Sequence, residues 1–505
     1  MREAEQESLA DYLRETLTHE QCQYIGLISF NQWSFALGAV VETALAAREI
    51  GSEVTVGLWS GKTPLYDTGW TAHRGIARFF GSASRDENAY RVLRRAGIAK
   101  RSFVKPPLRH WNPVEPLPRD PDTHRAAIRQ LTYRASGMGR SILQVHPDDQ
   151  TPIRDDYEWP AAYLQQAMHS YAWAYDQARE LISDRGLTTV VVYNGRFTHD
   201  RAVAAAAEAE GAQTLYYDTG GYETDFDLTV ATTHDWPHLQ GRMTAMYDRW
   251  SIEGVDDRDA IGSKWFTNRQ RHADANNAIF VEHQEQGHLS ELPQADQLVA
   301  FFSSSGDEIA ELELDWSDYL GSQENALRLL ADACRARAGT ALVVRTHPHM
   351  GLKPTDDLER WNAAVGEAAP DAHYDPFSKV DSYELMRRAD IVFTYGSTSG
   401  VEAGFMGRPV VVMGPSAYDE LGCAHRISSS QEIVSALDQP PETKSTAALP
   451  YGLMMQRRGF NFSYLTKSAD GLPAFEDVEL AEANELTRKV SDFLKGRQVS
   501  RLSNE

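Results

Sequence analysis

FTYGSTSGVEAGFMGRPVVVMG, residues 393–414, sets two apolar runs around a helical stretch, with the hydroxylated TYGSTSG between the first run and the helix. A short apolar run bounded by glycine reads as a buried strand, and Gly407 with Pro409 stops the helix before the second strand. Strand, helix and strand in that order form a βαβ unit of a parallel sheet. In such sheets ligands sit beyond the carboxyl ends of the strands, where loops lead into helices. Gly396, Ser397, Thr398, Ser399 and Gly400 fall at that position and are a candidate anion cradle. Small residues admit a phosphate, hydroxyls donate to it, and helix N-termini offer unpaired N–H groups. Ser399 followed by Glu402 also reads as a capping box, which would occupy both side chains. Glu402 is equally a candidate for accepting from a ribose diol, or for complementing the helix dipole.

The same rhythm runs along the chain. YIGLISF (24–30), EVTVGLW (53–59), TTVVVY (188–193) and QTLYY (213–217) alternate with longer helical stretches, and the pattern restarts at QLVAFFSSS (297–305), ALVVRTHPHM (341–350), ADIVFTYGS (389–397) and RPVVVMG (408–414). Two parallel sheets follow. The polar HQEQGHLSELPQAD (283–296) reads as the hinge, giving domains of 1–290 and 291–475 and a terminal helix over 476–505 that packs back on the first domain. Residues 60–160 do not fit this rhythm. They include Arg91, Arg94, Arg95, Lys100, Arg101, Lys105 and Arg109 with no acidic residue across 91–110, a face for an anionic acceptor or a peripheral membrane contact, or a solvated helix face.

The totals bound the function. With 505 residues, 42% hydrophobic and 24% charged, the chain is a folded protein of more than one domain. Fifty basic against seventy-two acidic side chains, a net charge of -22, argue against nucleic acid as a partner. Cys22, Cys334 and Cys423 are odd in number and far apart, which suggests neither disulfides nor a thiolate metal site and fits a reducing compartment. The opening MREAEQESLADYLRETLTHE lacks the pattern of a signal peptide, and no run reaches the roughly 20 apolar residues of a membrane span. The expected location is cytoplasmic, with the inner face of a membrane as an option.

A second chemical signal is VVRTHPHM, an apolar strand leading into Arg345, His347, Pro348 and His349. Proline ends the ladder, so His347 projects at the same sheet edge as the serine loop. An imidazole there stabilises charge on a departing phosphate, or is an ordinary structural histidine. His349 has no third ligand at zinc spacing, and no metal site is expected.

RTHP followed by YGSTSGVEAGFMGRPVVV resembles the carboxyl half of GT-B glycosyltransferases of the capsule-polysaccharide biosynthesis group, which includes bacterial sialyl- and Kdo-transferases. FFSSSGDE (301–308) and VVYNGRFTHDRAVAAAAEAEGAQTLYYDTGG (191–221) are also similar to segments of that group. The resemblance implies an α/β fold of two Rossmann-like domains facing a central cleft, with donor in the carboxyl domain and acceptor in the amino domain. It implies that Arg345, His347, Pro348 and the 396–400 loop hold a nucleotide sugar, favoured as a CMP-sugar, with Ser303, Ser304 and Ser305 as a further phosphate-facing turn. That nucleotide sugar is a co-substrate, and no cofactor is implied. The partner is a glycan or lipid-linked glycan acceptor. The group draws a general base from an amino-domain carboxylate, for which Asp218, Asp200 and Glu223 are the candidates, in that order. Asn194, Arg196, Asn31 and Trp33 occupy loops where an acceptor would sit; Arg196 is also placed to pair with Asp200, and Trp33 to be core. A nucleotide-sugar epimerase, a CDP-glycerol-type polyol-phosphate transferase and a non-catalytic partner in a polysaccharide-assembly complex remain open.

Overall fold

The computed structural model describes residues 8–30, 34–59, 89–98, 103–104, 112–144, 157–221, 225–252, 257–274, 278–305, 311–312, 319–352, 355–467, 473–475 and 478–480. Its first strands are β1 (Tyr24–Phe30), β2 (Glu53–Trp59) and β3 (Phe103–Val104), followed by a small hairpin of β4 (Thr132–Tyr133) and β5 (Ser136–Gly137). Then come β6 (Thr189–Tyr193), β7 (Gln213–Thr219) and β8 (Asp225–Thr229). A second series comprises β9 (Gln297–Phe302), β10 (Thr340–Arg345), β11 (Ala372–Tyr374), β12 (Ile391–Thr394), β13 (Val410–Val412) and β14 (His425–Arg426). The chain finishes with β15 (Phe460–Asn461) and a three-stranded antiparallel sheet of β16 (Leu465–Lys467), β17 (Pro473–Phe475) and β18 (Val478–Glu479).

Two parallel sheets form, as the alternation of runs implies. The carboxyl sheet has the order β11-β10-β9-β12-β13-β14, all parallel, which is the doubly wound 3-2-1-4-5-6 arrangement. The amino sheet has the order β15-β8-β7-β6-β1-β2-β3, parallel except where β8 runs against both β7 and β15. The β9 sequence shows why the runs are uninterrupted. Val299 and Phe301 enter one core with Leu327 and Trp361, whereas Leu298, Ala300 and Phe302 enter another with Tyr383 and Val401. A strand covered on both faces has no position for an alternating polar residue.

The division of the chain falls earlier than residue 290. One compact unit takes in His234–Arg458, and the other takes in Gln6–Gln150, Asp155–Thr233 and Gly459–Glu505. Helices Trp236–Ile252, Arg258–Gln270 and Leu449–Arg457 belong to the carboxyl unit because they bury Met243, Phe266 and Met454 in its core. The fit depends on paired glycines: a Cβ on Gly452 would lie 2.3 Å from the Gly262 carbonyl oxygen, and one on Gly262 would lie 2.7 Å from that of Leu449. The return to the amino unit likewise comes at 459 rather than at 476, through β15 and through Glu42, whose buried carboxylate accepts the Tyr464 N–H at 2.6 Å and the Leu465 N–H at 3.2 Å. The terminal helix expected over 476–505 lies outside the described residues beyond 480.

Within 60–160 the described residues build a second core of the amino unit. Ile128, Tyr133 and Trp159 pack on the 25-residue helix Ala161–Arg185, which ends at left-handed Gly186. Arg91, Arg94 and Arg95 are exposed and Val92, Leu93 and Ala96 buried, so this part of the basic run is the outer face of a helix; Lys100, Arg101, Lys105 and Arg109 lie outside the described residues. Among the described residues no helix is long and apolar enough to cross a membrane.

Candidate functional site

Three loops leave the carboxyl ends of adjacent strands in the carboxyl unit. Phe302 at the end of β9 pairs with Arg345 of β10 on one side and Thr394 of β12 on the other. Ser303–Ser305, Thr346–His349 and Tyr395–Ser399 therefore emerge side by side, with the β9/β12 gap at the point where the winding reverses. Ser303 joins two of them, since its Oγ accepts the His347 N–H at 2.8 Å and its own N–H donates to the Arg345 carbonyl at 3.1 Å. Thr394 joins the third. Its hydroxyl donates to the Phe302 carbonyl at 3.1 Å and accepts the Ser397 N–H at 3.1 Å. Ser303 and Ser305 are buried, and the Ser304 N–H donates to Gln323 Oε1 at 2.5 Å, so this turn braces the rim.

His347 is half-buried, with Phe280 at 5.4 Å between ring centroids. The His349 N–H donates to His347 Nδ1 at 3.2 Å, which leaves Nε2 to carry the ring proton and act as donor. Pro348 opens a 3-10 turn, Pro348–Leu352, that carries His349 away from the strand. Arg345 lies below this rim and is 2% exposed. Its Nη1 donates to the Thr346 carbonyl at 3.2 Å and to that of Asp375, which fixes the loop leading to His347, while Nε and Nη2 are buried without a hydrogen-bond partner. Burial pushes this guanidinium down to about 10, against the charge of Asp375.

The serine loop needs its glycines. Gly396 has φ +80°, and a Cβ there would lie 1.8 Å from the Pro415 carbonyl oxygen. The helix that follows, Ser399–Phe405, is only seven residues long, with Thr398 as an N-cap that makes no side-chain capping bond. The capping box expected from Ser399 and Glu402 does not form. Instead Ser399 Oγ meets Ser397 Oγ at 3.2 Å, and the N–H groups of Ser399 and Gly400 turn back to the Ser397 Oγ and carbonyl at 3.3 and 2.9 Å. Part of the expected amide cradle is thus satisfied within the loop, and because the Ser397 hydroxyl donates to Ser399 Oγ, Ser399 is the serine that keeps an O–H to give. Glu402 is 4% exposed, ion-paired to Arg269 and hydrogen-bonded by Tyr383 Oη at 3.0 Å. Burial works against the Arg269 charge, but the Glu402 carboxylate outweighs it and holds the guanidinium above its ordinary range. Sequence reasoning missed Arg269, Tyr383, Tyr418 and Tyr451, which hold the loop and helix from beneath and carry no local motif.

In the amino unit, Asn194 and Gly195 leave β6 with φ 46° and 81°, and Thr198–Ala209 forms the next helix. This is the corresponding switch point, because β6 lies beside β1. Asn194 Nδ2 donates to Asp218 Oδ2 and, at 3.3 Å, to Thr233 Oγ1, and the Thr219 N–H donates to Asp218 Oδ1 at 2.7 Å. Asp200, in the first helical turn, is buried. Burial first and the Asp218 charge second push its carboxyl well above the usual range. The same burial, with both carboxylates near, pushes the Tyr193 phenol upward. The Arg196 guanidinium lies 5.1 Å over the Phe197 ring. Glu223, Asn31 and Trp33 lie outside the described residues.

A raised Asp200 has a stability consequence. Below its unfolded value of 3.8 both states bind the proton, and above it the native state binds more protons than the unfolded one. The native state therefore loses stability as pH climbs from about 4 through the raised folded-state value. Asp200→Asn is expected to raise the melting temperature at pH 8 and to leave it unchanged at pH 3; equal effects at both would contradict the assignment.

Among the described residues no group of three or more His, Cys, Asp or Glu side chains is arranged to hold a metal ion. A family model described as "Capsule polysaccharide biosynthesis protein" matches residues 314–453, well under half of the chain but including both His347 and the serine loop. No curated relative matches. Among solved structures, a Thermosulfurimonas dismutans KpsC, beta Kdo 2,7 transferase, is 14% identical, with 55% of this chain and 80% of that one covered at a TM-score of 0.32. A UDP-GlcNAc 2-epimerase from Neisseria meningitidis bound to UDP-GlcNAc is 10% identical, with coverage of 86% and 97% and a TM-score of 0.28. The calicheamicin glycosyltransferase CalG4 is 14% identical, with coverage of 86% and 94% and a TM-score of 0.26. Overlays this loose carry no inference about what this chain binds.

Proposed function

We propose that this chain is a glycosyltransferase of surface or capsular polysaccharide synthesis, using a nucleotide-activated sugar, with a CMP-sugar as the favoured donor. The observation that carries this reading is the 2.8 Å bond from the His347 N–H to Ser303 Oγ, which fixes the imidazole loop to the strand tip flanked by the serine loop. His347 Nε2–H and the hydroxyl of Ser399, whose Oγ accepts from Ser397 Oγ, are the donors for a phosphate at that rim. As the glycosidic bond to the nucleotide breaks, negative charge grows on the leaving phosphate, and donors already in place stabilise it without reorganisation. The proposal gives this task to these groups rather than to a cation. The match of the capsule family over 314–453 supports the same assignment.

The acceptor, a glycan or lipid-linked glycan, is assigned to the amino unit. Asp218 takes the proton of the attacking hydroxyl, held in place by Asn194 and Thr219. Asp200, favoured in its neutral form, serves as the partner that keeps a second charge away from the nucleophile.

Thermal-shift titration of the full chain with CMP, CDP, UDP and GDP tests the donor assignment. A nucleotide at 100 times its dissociation constant adds about 2.7 kcal/mol of stability, and CMP is expected to give the largest response. No response to any of the four contradicts the reading. Product analysis then separates the enzymes: a sugar returned altered without an acceptor marks an epimerase, and turnover of CDP-glycerol marks a polyol-phosphate transferase.

A further inference from the structure

Three phenols meet the serine loop and its helix from inside the carboxyl unit. Tyr418 Oη donates to the Ser397 carbonyl at 2.5 Å and Tyr383 Oη donates to Glu402 at 3.0 Å, while Tyr451 stands behind Tyr418. All three tyrosines are buried. Tyr418 and Tyr451 also brace each other edge to face at 6.1 Å, and Tyr451 packs on Trp265 at 5.3 Å. The loop sequence is cut to receive them. A Cβ on Gly400 would lie 2.1 Å from Tyr418 Oη, so the glycine is what lets the phenol reach the Ser397 carbonyl.

We infer that Tyr418, backed by Tyr451, is a positioning residue that sets the Ser397–Ser399 loop at the height at which it meets the donor phosphate, with Ser399 as the ligand. The physical reason lies in how little else holds the loop. Its helix has seven residues and no side-chain cap, so the fixed points are the Thr394 hydroxyl at one end and the phenols beneath. The bond to Ser397 grips a backbone carbonyl, so it sets the loop's position whatever its side chains do. Ser397 is buried and spends its hydroxyl proton on Ser399 Oγ at 3.2 Å, which leaves the half-buried Ser399 to offer its own O–H. A phosphate bound by preset hydroxyls avoids the ordering cost that a slack loop would impose on each binding event.

This inference rests on the phosphate reading of the rim, and its test separates the two. The full chain and its Tyr418→Phe and Ser399→Ala variants are compared by hydrogen exchange of the 395–401 backbone amides and by CMP titration. Removing one such bond is expected to speed loop exchange and weaken CMP about fivefold in Tyr418→Phe, without a matching change in amides of β9 and β10. Ser399→Ala is expected to weaken CMP with loop exchange unchanged. Unchanged exchange in Tyr418→Phe overturns the inference. Failure of the wild-type chain to bind CMP, CDP, UDP or GDP overturns the phosphate reading instead, and loop exchange still decides the clamp.

Discussion

On the proposed function, His347→Ala is expected to lower the rate of nucleotide release from the donor by about 10²–10³-fold, the loss typical of removing one preplaced donor from a developing oxyanion. The expected pattern is specific. The bond to Ser303 comes from the backbone N–H, so it survives the substitution, and the half-buried ring leaves no deep cavity. Melting temperature should therefore change little. If Nε2–H meets the phosphate as proposed, its bond strengthens as charge accumulates there, so turnover should fall far more than nucleotide affinity. Single-turnover assays with a CMP-sugar read the chemical step directly, and a wild-type rate contradicts the assignment of His347.

Arg269→Met produces the largest expected loss of stability, about 3–5 kcal/mol, because it leaves the Glu402 carboxylate buried without its charge partner. The helix carrying Glu402 begins at the serine loop, so the loss is expected to reach donor binding as well. The double variant Arg269→Met/Glu402→Met should recover most of the stability, since removing both charges also removes the need to compensate either. Urea denaturation at neutral pH measures both. A loss below about 1 kcal/mol for the single variant, the range of an exposed pair, contradicts the buried-pair description.

The contrast between these two residues shows what the sequence could convey. Strand ends are local: VVRTHP and FTYGSTSG carry their apolar runs and breakers within a few positions, so β10, β12 and the loops after them were legible, as was the existence of two sheets. Register across β9 then brings those loops together without further information. Glu402 was legible only as a carboxylate in a first turn, because its partner Arg269 lies 133 residues away with no motif around it. The unit boundary was misplaced for a similar reason. What ties Arg258–Gln270 to the carboxyl core is glycine-to-backbone packing against Leu449–Arg457, and neither glycine announces its partner. The antiparallel β8 was missed because DFDLT carries two buried aspartates where an apolar run is expected. In Ala161–Arg185 burial of residues such as Tyr171, Ala172, Trp173 and Ala174 in succession erases the helical period that reveals an amphipathic helix.

The most direct test is a structure of the chain with CMP bound. The phosphate is expected within hydrogen-bond distance of His347 Nε2 and the Ser399 hydroxyl, at the carboxyl ends of β9, β10 and β12. A phosphate held elsewhere on the molecule, with His347 and Ser399 untouched, would contradict the account.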